Sequence, residues 1–373
     1  MVYTESMSLF RTAKSDLAVA LDVGSRTVKG LVYEISDTGA ILKAHKRIAV
    51  GMPAAYSAHR IVGKLHHVLA GVIKEFGRIP AKTIAGFGTS LAEYHVEEWD
   101  VESAGERHEK TRIGRKEIIG YFNQLSEQHG REDRVMIATP AGVEVNGYAV
   151  PSGVFARDAS GTKSGLEISG GVCRDIKFRA LVSYFPSEIG TLLVEMKHML
   201  GGVPIEFVPM AAVYQEALAH RLGVRDALLI DIGATTTMLV LLQESMLAHI
   251  VSFPFGVSHI ASQEVGIKVE IREKDIEVWG RCFRDSLDFL YPFGPLTGET
   301  YLGGGGAHIG ELHAYVEDGE WLKTLSYAAT PRLTVLEGKS LLADSALQEF
   351  LQGPEDAGLA SVVCYGMHQE VVV

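Results

Sequence analysis

The chain contains one local pattern twice, as LDVGSRTVKG at residues 21–30 and as IDIGATTT at residues 230–237. In each copy an aspartate follows an apolar run, and a glycine comes two residues after the aspartate. Small hydroxyl residues then begin the next apolar run. Glycine at such a turn lets the backbone approach a phosphate closely, and the N–H groups that follow form a concave anion site. The two copies together predict a pair of facing phosphate loops.

The segments around the two copies predict the same succession of elements. Each succession is a strand, the glycine turn and two further strands, as apolar runs and alternation indicate. A repeat at the level of structure indicates two similar lobes, and 373 residues are enough for two cores. The predicted strands are residues 17–23, 27–35 and 40–50 in the first lobe, and 226–230, 238–242 and 246–253 in the second.

A third glycine-rich stretch, YLGGGGAH at residues 301–308, follows a predicted strand and precedes a predicted helix. A glycine run leaves room beside the backbone for a flat base and a ribose. Asp22 and Asp231 would repel a bare phosphate, so they suit one only if Mg²⁺ lies between them, held mostly through water. Each stretch alone is equally compatible with a tight turn, but all three in this order are much harder to obtain by chance.

Charge and cysteine content argue against several classes of protein. The formal net charge of −11 argues against nucleic acid as the main partner, because phosphate binding requires a concentrated basic face. Three cysteines lie far apart without a CxxC pair, and the histidines form no HExxH pattern, so no metal site made by side chains alone is visible. There is no disulfide framework, no signal-peptide pattern and no apolar stretch of about 18 residues, which favours a cytoplasmic protein.

The order of the three stretches resembles the phosphate-1, phosphate-2 and adenosine motifs of the actin and sugar-kinase superfamily. Members of that superfamily hold ATP and Mg²⁺ in a cleft between two similar lobes. The resemblance therefore implies ATP and Mg²⁺ as ligands, with Asp22 and Asp231 near the metal and Lys29 on the phosphates. Carried over residue by residue, the cofactor-binding residues are Asp22, Gly24, Ser25, Lys29, Asp231, Gly233, Thr235, Thr236, Gly303, Gly304 and Gly305.

The segment between the two loops resembles that of two bacterial families, FtsA of cell division and PilM of pilus assembly. The run VNGY at residues 145–148, then Pro151 and LEI at 166–168, is similar to the strand–helix–strand–strand subdomain, called 1C or SHS2, that both families insert. The run VPMAA at residues 208–212 resembles the helix that leads into their second phosphate loop. The implied fold is α/β, an actin-like (ribonuclease H-like) two-lobe ATPase fold with an inserted SHS2-type subdomain and a shortened 2B subdomain.

The resemblance also implies a division of the chain into four parts. The 2B part is short because only about 44 residues separate Gly256 from Tyr301, where FtsA carries a full subdomain. The parts are lobe 1 (1A) at residues 15–90 and 173–202, the inserted subdomain (1C) at 91–172, lobe 2 (2A) at 203–257 and 297–373, and the reduced 2B subdomain at 258–296.

Two further departures from the family pattern bear on activity and location. Ala211 occupies the position of the glutamine that orients the attacking water in actin, so we expect at most a slow ATPase. Residues 357–373 are small and apolar and do not form a basic amphipathic helix. We therefore expect a cytoplasmic protein that reaches the inner face of the cell membrane only through a partner.

Several functions stay open at this point. The overall pattern favours an FtsA-like, ATP-binding scaffold that recruits partners to the division machinery. The alternative is a PilM-like scaffold of type IV pilus assembly, favoured by Lys29 seven residues after Asp22 and by TTTM at residues 235–238. Further alternatives are a pseudo-ATPase that has lost its ligand and a sugar- or acetate-type kinase, which would need an acidic base and a larger substrate lobe. The implied partners are division or pilus-assembly proteins and further copies of the chain, as a dimer or a polymer.

Overall fold

A computed structural model describes most of the two predicted lobes. The helix that apolar spacing predicts at residues 115–129 lies outside the described residues, as do Pro151 and Ile168. The described residues are 17–36, 39–49, 58–77, 80–101, 112–113, 134–150, 166–167, 175–200, 205–262, 270–271, 273–290, 296, 298–317, 332–342 and 346–370.

Lobe 1 is built on a five-stranded mixed sheet. Its first three strands form an antiparallel meander, and two later strands add in parallel to the first. The first strand is buried along almost its whole length, which explains its continuous apolar sequence. The strands are β1 (Leu17–Val23), β2 (Thr27–Ser36), β3 (Gly39–Ala49), β4 (Lys82–Phe87) and β11 (Ile205–Pro209), in the spatial order β11-β4-β1-β2-β3.

Lobe 2 is built on a second five-stranded sheet with the same topology as the first. Each strand of lobe 1 has a counterpart at the same place in the order, so the predicted internal repeat is confirmed and extends to all five strands. The strands are β12 (Ala227–Ile232), β13 (Thr237–Gln243), β14 (Met246–Phe253), β17 (Glu299–Gly303) and β18 (Arg332–Val335), in the order β14-β13-β12-β17-β18.

A third, four-stranded antiparallel sheet comes from the segment between the lobes. Asn146 and Gly147 join two of its strands with positive φ angles of 51° and 82°, as the Asn-Gly turn signal predicts. Its strands are β5 (Glu93–Val101), β7 (Arg134–Val145), β8 (Tyr148–Val150) and β10 (Ile176–Pro186), in the order β5-β10-β7-β8. Two short pairs are β6 (Arg112–Ile113) with β9 (Leu166–Glu167), and β15 (Ala261–Ser262) with β16 (Glu270–Ile271).

Two strands lie in a different sheet from the one that the predicted division implies. β10 falls in the predicted lobe 1 segment at 173–202, but it pairs with β5 and β7 of the four-stranded sheet. β11 falls in the predicted lobe 2 segment at 203–257, but it pairs in parallel with β4 of lobe 1. Both differences arise because the partner of a strand depends on distant residues that its own apolar pattern does not reveal.

The helices of the described residues connect and cover these sheets. They are α1 (Ala58–Phe76), α2 (Ser187–Met199), α3 (Met210–Arg221), α4 (Val257–Ile260), α5 (Glu273–Leu290), α6 (Gly310–Glu317), α7 (Gly338–Leu341) and α8 (Ala357–Glu370). α3 directly follows β11 of lobe 1, and it packs against α8 between the lobes. Among the described residues, no helix combines the length and the apolar character needed to cross a membrane.

The four-stranded sheet also contacts lobe 2. A Cβ atom added to Gly142 of β7 would lie 2.8 Å from Met246 Cγ of β14, so the two strands approach closely. Gln215 of α3 is buried beside them and donates its amide hydrogens to two carbonyl groups, Ala141 at 3.0 Å and Ser245 at 3.1 Å. Gln215 therefore links the four-stranded sheet to lobe 2.

The short segment between β14 and β17 is anchored by a buried aromatic cluster. Trp279 of α5 stacks on Phe283 with ring centroids 5.1 Å apart, and both side chains are fully buried. The Trp279 indole N–H donates to Thr237 Oγ1 at 2.9 Å, and Thr237 is the first residue after the second glycine turn. This contact fixes α5 directly to the predicted second phosphate loop.

Candidate functional site

The two predicted phosphate loops have the same local geometry. Gly24 N–H donates to the Thr27 carbonyl at 3.0 Å, and Gly233 N–H donates to the Thr236 carbonyl at 2.9 Å. In both turns a Cβ atom on the glycine would lie 3.0 Å from that same carbonyl oxygen, which is tighter than side chains normally allow. The glycines are therefore needed for the turn itself.

The structure brings the two loops into direct contact. Thr235 donates its hydroxyl hydrogen to Ser25 Oγ across the lobes, at 2.9 Å. Thr236 accepts a hydrogen bond of 3.1 Å from Thr89, which follows β4 in lobe 1. Residues 210 positions apart in the sequence thus face each other at the base of one cleft. Thr89 belongs to this site and was not predicted, because nothing in its sequence neighbourhood indicates it.

Two carboxyl groups, Asp22 and Asp231, lie at the ends of β1 and β12 beside these loops. Burial raises the pKa of Asp231 to about 7, and the negative charge of Asp22 adds to this rise. Burial also raises the pKa of Asp22, opposed mainly by the positive charge of Lys29. The buried Tyr214 hydroxyl of α3 is hydrogen-bonded to Asp231, which lowers the pKa of that carboxyl. A cation close to both carboxylates would offset their desolvation and mutual repulsion.

Lys29 lies beside these carboxylates, and its side chain is almost completely buried. Its Nζ atom is 3.4 Å from Asp22 Oδ2 and 3.8 Å from Asp356 Oδ1, and it also donates to the Glu355 carbonyl oxygen. Arg47 of β3 forms a second ion pair with Asp356. The predicted lysine is therefore in the cleft, surrounded by negative groups from both lobes.

The predicted adenosine loop approaches the second phosphate loop from β17. Gly304 has a φ of +79°, and a Cβ atom there would lie 2.5 Å from the Ile232 carbonyl oxygen and still nearer to Asp231 Oδ1. The next glycine differs, since a Cβ atom on Gly305 would meet nothing within 4 Å. Gly304 is thus required by packing, whereas Gly305 faces open space in which a flat group can lie.

These residues fit the nucleotide and cation that the sequence analysis predicts. Two paired carboxyl groups provide the oxygen ligands that Mg²⁺ prefers, and the turn glycines and hydroxyls provide donors for phosphate oxygens. Among the described residues, no group of three or more His, Cys, Asp or Glu side chains forms a metal site by itself.

Residues on α3 bear on the expected rate of hydrolysis. Ala211 is completely buried and carries no group that polarises water. Gln215 lies one turn later, but both of its amide hydrogen bonds go to backbone carbonyls away from the loops. Neither residue is in a position to orient an attacking water.

Several residues of the site were not predicted from the sequence. All of them lie on elements outside the glycine motifs, and only the tertiary fold brings them to the site. A signal existed for Arg47 alone, because the predicted meander pairs its strand with that of Lys29. These residues are Arg47, Thr89, Tyr214, Glu355 and Asp356.

Two similar lobes, paired Asp–Gly loops and a glycine-rich third loop define the fold: the chain has the actin-like ATPase fold. Among solved structures it is similar to PilM in the PilM–PilN type IV pilus biogenesis complex, with a TM-score of 0.59 and 16% identity. The match covers 95% of this chain and 99% of that one. The predicted actin-like fold is confirmed, and the matched protein is a PilM, the family that the sequence analysis gives as its alternative to FtsA.

Other solved structures match with TM-scores below 0.5. A protein of unknown function with an actin-like ATPase fold, from Bacteroides thetaiotaomicron, has 9% identity and a TM-score of 0.44, over 92% of this chain and 98% of its own. The ethanolamine utilization protein EutJ from Carboxydothermus hydrogenoformans has 11% identity and a TM-score of 0.42, over 94% and 89%. No protein-family model and no curated protein matches the sequence.

Proposed function

We propose that this chain is a cytoplasmic, ATP-binding scaffold protein that acts like PilM in the assembly of a pilus-type machine. The observation that carries the proposal is the convergence of two Asp–Gly loops and a glycine-rich loop on one cleft, in a chain similar to PilM over almost its whole length. An FtsA-like role in cell division, favoured by the sequence pattern, becomes the second interpretation.

Each part of the cleft has a specific task in this proposal. Asp22 and Asp231 would hold Mg²⁺ through its water ligands, and the bound ion would neutralise phosphate charge. The backbone N–H groups after Gly24 and Gly233, with the hydroxyls of Ser25, Thr235 and Thr236, would donate hydrogen bonds to phosphate oxygens. Gly305 leaves room for the base and the ribose, and Gly304 lets this loop pack against the second phosphate loop. Hydrolysis is slow because Ala211 orients no water, so binding rather than turnover is the functional step.

We assign partner binding to the four-stranded sheet, interpreted as the inserted SHS2-type subdomain. The two-lobe core is complete without it, and sites of interaction are commonly carried by such additions. β8 is an edge strand of this sheet, and Tyr148 at its start is 77% exposed. By analogy with the PilM–PilN complex, a pilus-assembly protein is the expected partner.

Nucleotide binding should be visible as stabilisation against heat. ATP–Mg²⁺ at about 100 times its Kd should stabilise the protein by about 3 kcal/mol, because a ligand that binds only the folded state shifts the equilibrium by mass action. Asp22→Ala should lose this increment, and ATP with a chelator should give less of it than ATP–Mg²⁺. The measurement is differential scanning calorimetry of each variant with and without ligand. An unchanged wild-type melting curve at millimolar ATP–Mg²⁺ would indicate a pseudo-ATPase.

Partner capture distinguishes the pilus and division interpretations. The tagged chain, isolated after cross-linking in its source cell, should carry pilus-assembly proteins identified by mass spectrometry. Replacing exposed Tyr148 with serine should reduce that capture, whereas the same change in Phe350, an exposed aromatic on a different part of the surface, should not. Recovery of division proteins instead would support the FtsA-like role and contradict the proposal.

A further inference from the structure

A row of charges crosses the lobe 1 sheet at the level of the cleft. Asp22 of β1 is the direct neighbour of Lys29 on β2, and Lys29 is the direct neighbour of Arg47 on β3. Two cations directly opposite each other on adjacent strands repel. Lys29 and Arg47 are therefore stable side by side only with anionic groups close by. Asp22 is opposite Lys29 and not opposite Arg47, so it can serve only the lysine.

Asp356 supplies the second anion. It is 4% exposed, its carboxylate forms an ion pair with Arg47, and its Oδ1 atom lies 3.8 Å from Lys29 Nζ. The neighbouring Glu355 carbonyl accepts a hydrogen bond from the same ammonium group. Lys29 thus has three partners within the protein, two carboxylates and one carbonyl, and two of the three belong to the turn at residues 354–356.

This turn is fixed to lobe 2 and to α8, so Asp356 cannot easily move aside. Gly304 N–H donates to the Pro354 carbonyl at 3.2 Å, which ties the turn to the adenosine loop. After the turn, α8 lies across the lobe 1 sheet so closely that a Cβ atom on Gly358 would be 3.2 Å from Asp22 Oδ2. Asp356 is therefore a carboxylate held in place at the bottom of the cleft.

We propose that Asp356 is an internal counter-anion of the nucleotide site, which competes with phosphate for Lys29 and Arg47 and so sets the affinity for nucleotide. This inference rests on the proposed function, because it names a residue that tunes the same site. Lys29 can serve a phosphate only by sharing or exchanging the contacts it now makes. A purely structural role for Asp356 would have the opposite consequence, since removing it would loosen the cleft and weaken binding.

The sign of the effect follows from charge. Asp22, Asp231 and Asp356 are acids, while Lys29 and Arg47 are bases, so the cluster has one more acid than it has bases. Neutralising Asp356 removes a negative group that lies against the lysine expected to contact phosphate. Coulomb interactions in a partly buried site are several-fold stronger than in water. The affinity for a polyanion should therefore rise.

The test measures the Kd of ATP–Mg²⁺ by isothermal titration calorimetry. Asp356→Asn should tighten binding about tenfold, because one opposing charge near the phosphates is lost. Glu34→Gln is the matched control: it makes the same charge change on β2, in an ion pair of 2.8 Å with Lys43. Glu34 is five residues from Lys29, about 17 Å along the strand, which exceeds the screening length, so the change in Kd should be below about twofold.

Arg47→Met provides a second variant in case the buried Asp356→Asn change prevents folding. The Arg47 side chain is 41% exposed, so the replacement should be tolerated. Without Arg47, the only cation that still pairs with Asp356 in this cluster is Lys29. Binding of ATP–Mg²⁺ should then weaken. The inference is overturned if the wild type binds and Asp356→Asn binds equally or more weakly, or if Arg47→Met binds as tightly as the wild type.

The two proposals fail in distinguishable ways. If the wild type shows no binding but Asp356→Asn does, the internal competition is supported and the wild-type site is masked by it. If neither protein binds ATP–Mg²⁺, both the nucleotide function and the competition are wrong. If the wild type binds ATP–Mg²⁺ and Asp356→Asn does not bind it more tightly, the competition is wrong and the nucleotide function stands.

Discussion

Replacing Lys29 with methionine should lower the free energy of unfolding by about 3–5 kcal/mol, because it removes one partner of a buried ion pair. Asp22 and Asp356 would then lie in the cleft without their shared cation. Methionine has nearly the same length, so the loss reports the charge and not a cavity. The measurement is urea denaturation followed by circular dichroism, with the midpoint and the slope fitted for each variant.

The stability lost in Lys29→Met should also depend on pH, because the neighbouring carboxyl groups titrate. The pKa of Asp231 is about 7 and that of Asp22 is raised, so protonation removes the unpaired negative charge as the pH falls. Lys29→Met should therefore cost less at pH 5 than at pH 8. Lys43→Met, which breaks the partly exposed pair with Glu34 on the same two strands, should cost at most about 1 kcal/mol. Equal losses for the two lysines would contradict a buried charge cluster.

Replacing Gly304 with alanine should destabilise the protein by about 2–6 kcal/mol. Its φ of +79° and ψ of 175° lie in a region that is essentially restricted to glycine, which costs an alanine about 1–3 kcal/mol. The new methyl group would also overlap the Ile232 backbone and the Asp231 carboxylate, and such overpacking costs about 1–3 kcal/mol more. Neither neighbour is the flexible end of a long side chain, so the strain cannot be relieved cheaply. The same urea titration measures the effect.

Gly305→Ala is the control at the adjacent position. A methyl group there enters open space, and Gly305 does not have a positive φ. Its stability should be unchanged or higher by up to about 1 kcal/mol, since alanine reduces the entropy of the unfolded chain. A large loss at both glycines would mean that the loop is packed throughout and leaves no room for a base.

Much of the fold could be predicted because its signals are local. The Asp–Gly turns, the meanders and the internal repeat are all visible in short stretches, and the sheet orders follow the predicted repeat. Strand pairing across long distances is not visible in the sequence, so the predicted division does not reveal the partners of β10 and β11. The residues that surround the phosphate loops could not be predicted for the same reason. Tyr214 and Asp356 reach the site only because α3 and α8 cross between the lobes.

The choice between the two families could not be made from the sequence for a different reason. The phosphate motifs are shared by the whole superfamily, so they fix the fold and not the branch. Only a few features favour PilM, namely the spacing of Lys29 from Asp22 and the threonines after Gly233. The fold match to PilM extends over 95% of this chain, and the proposed pilus role is based on it.

The shared amide of Gln215 has a mechanical consequence. Because this one side chain bonds the Ala141 carbonyl of β7 and the Ser245 carbonyl of the turn before β14, that turn and β7 cannot separate without the loss of at least one of the two hydrogen bonds. Loss of the Ala141 bond leaves a buried carbonyl unsatisfied, which costs about 1–3 kcal/mol. A shift of lobe 2 is therefore coupled to the four-stranded sheet, and we expect it to displace the far edge of that sheet, at β8.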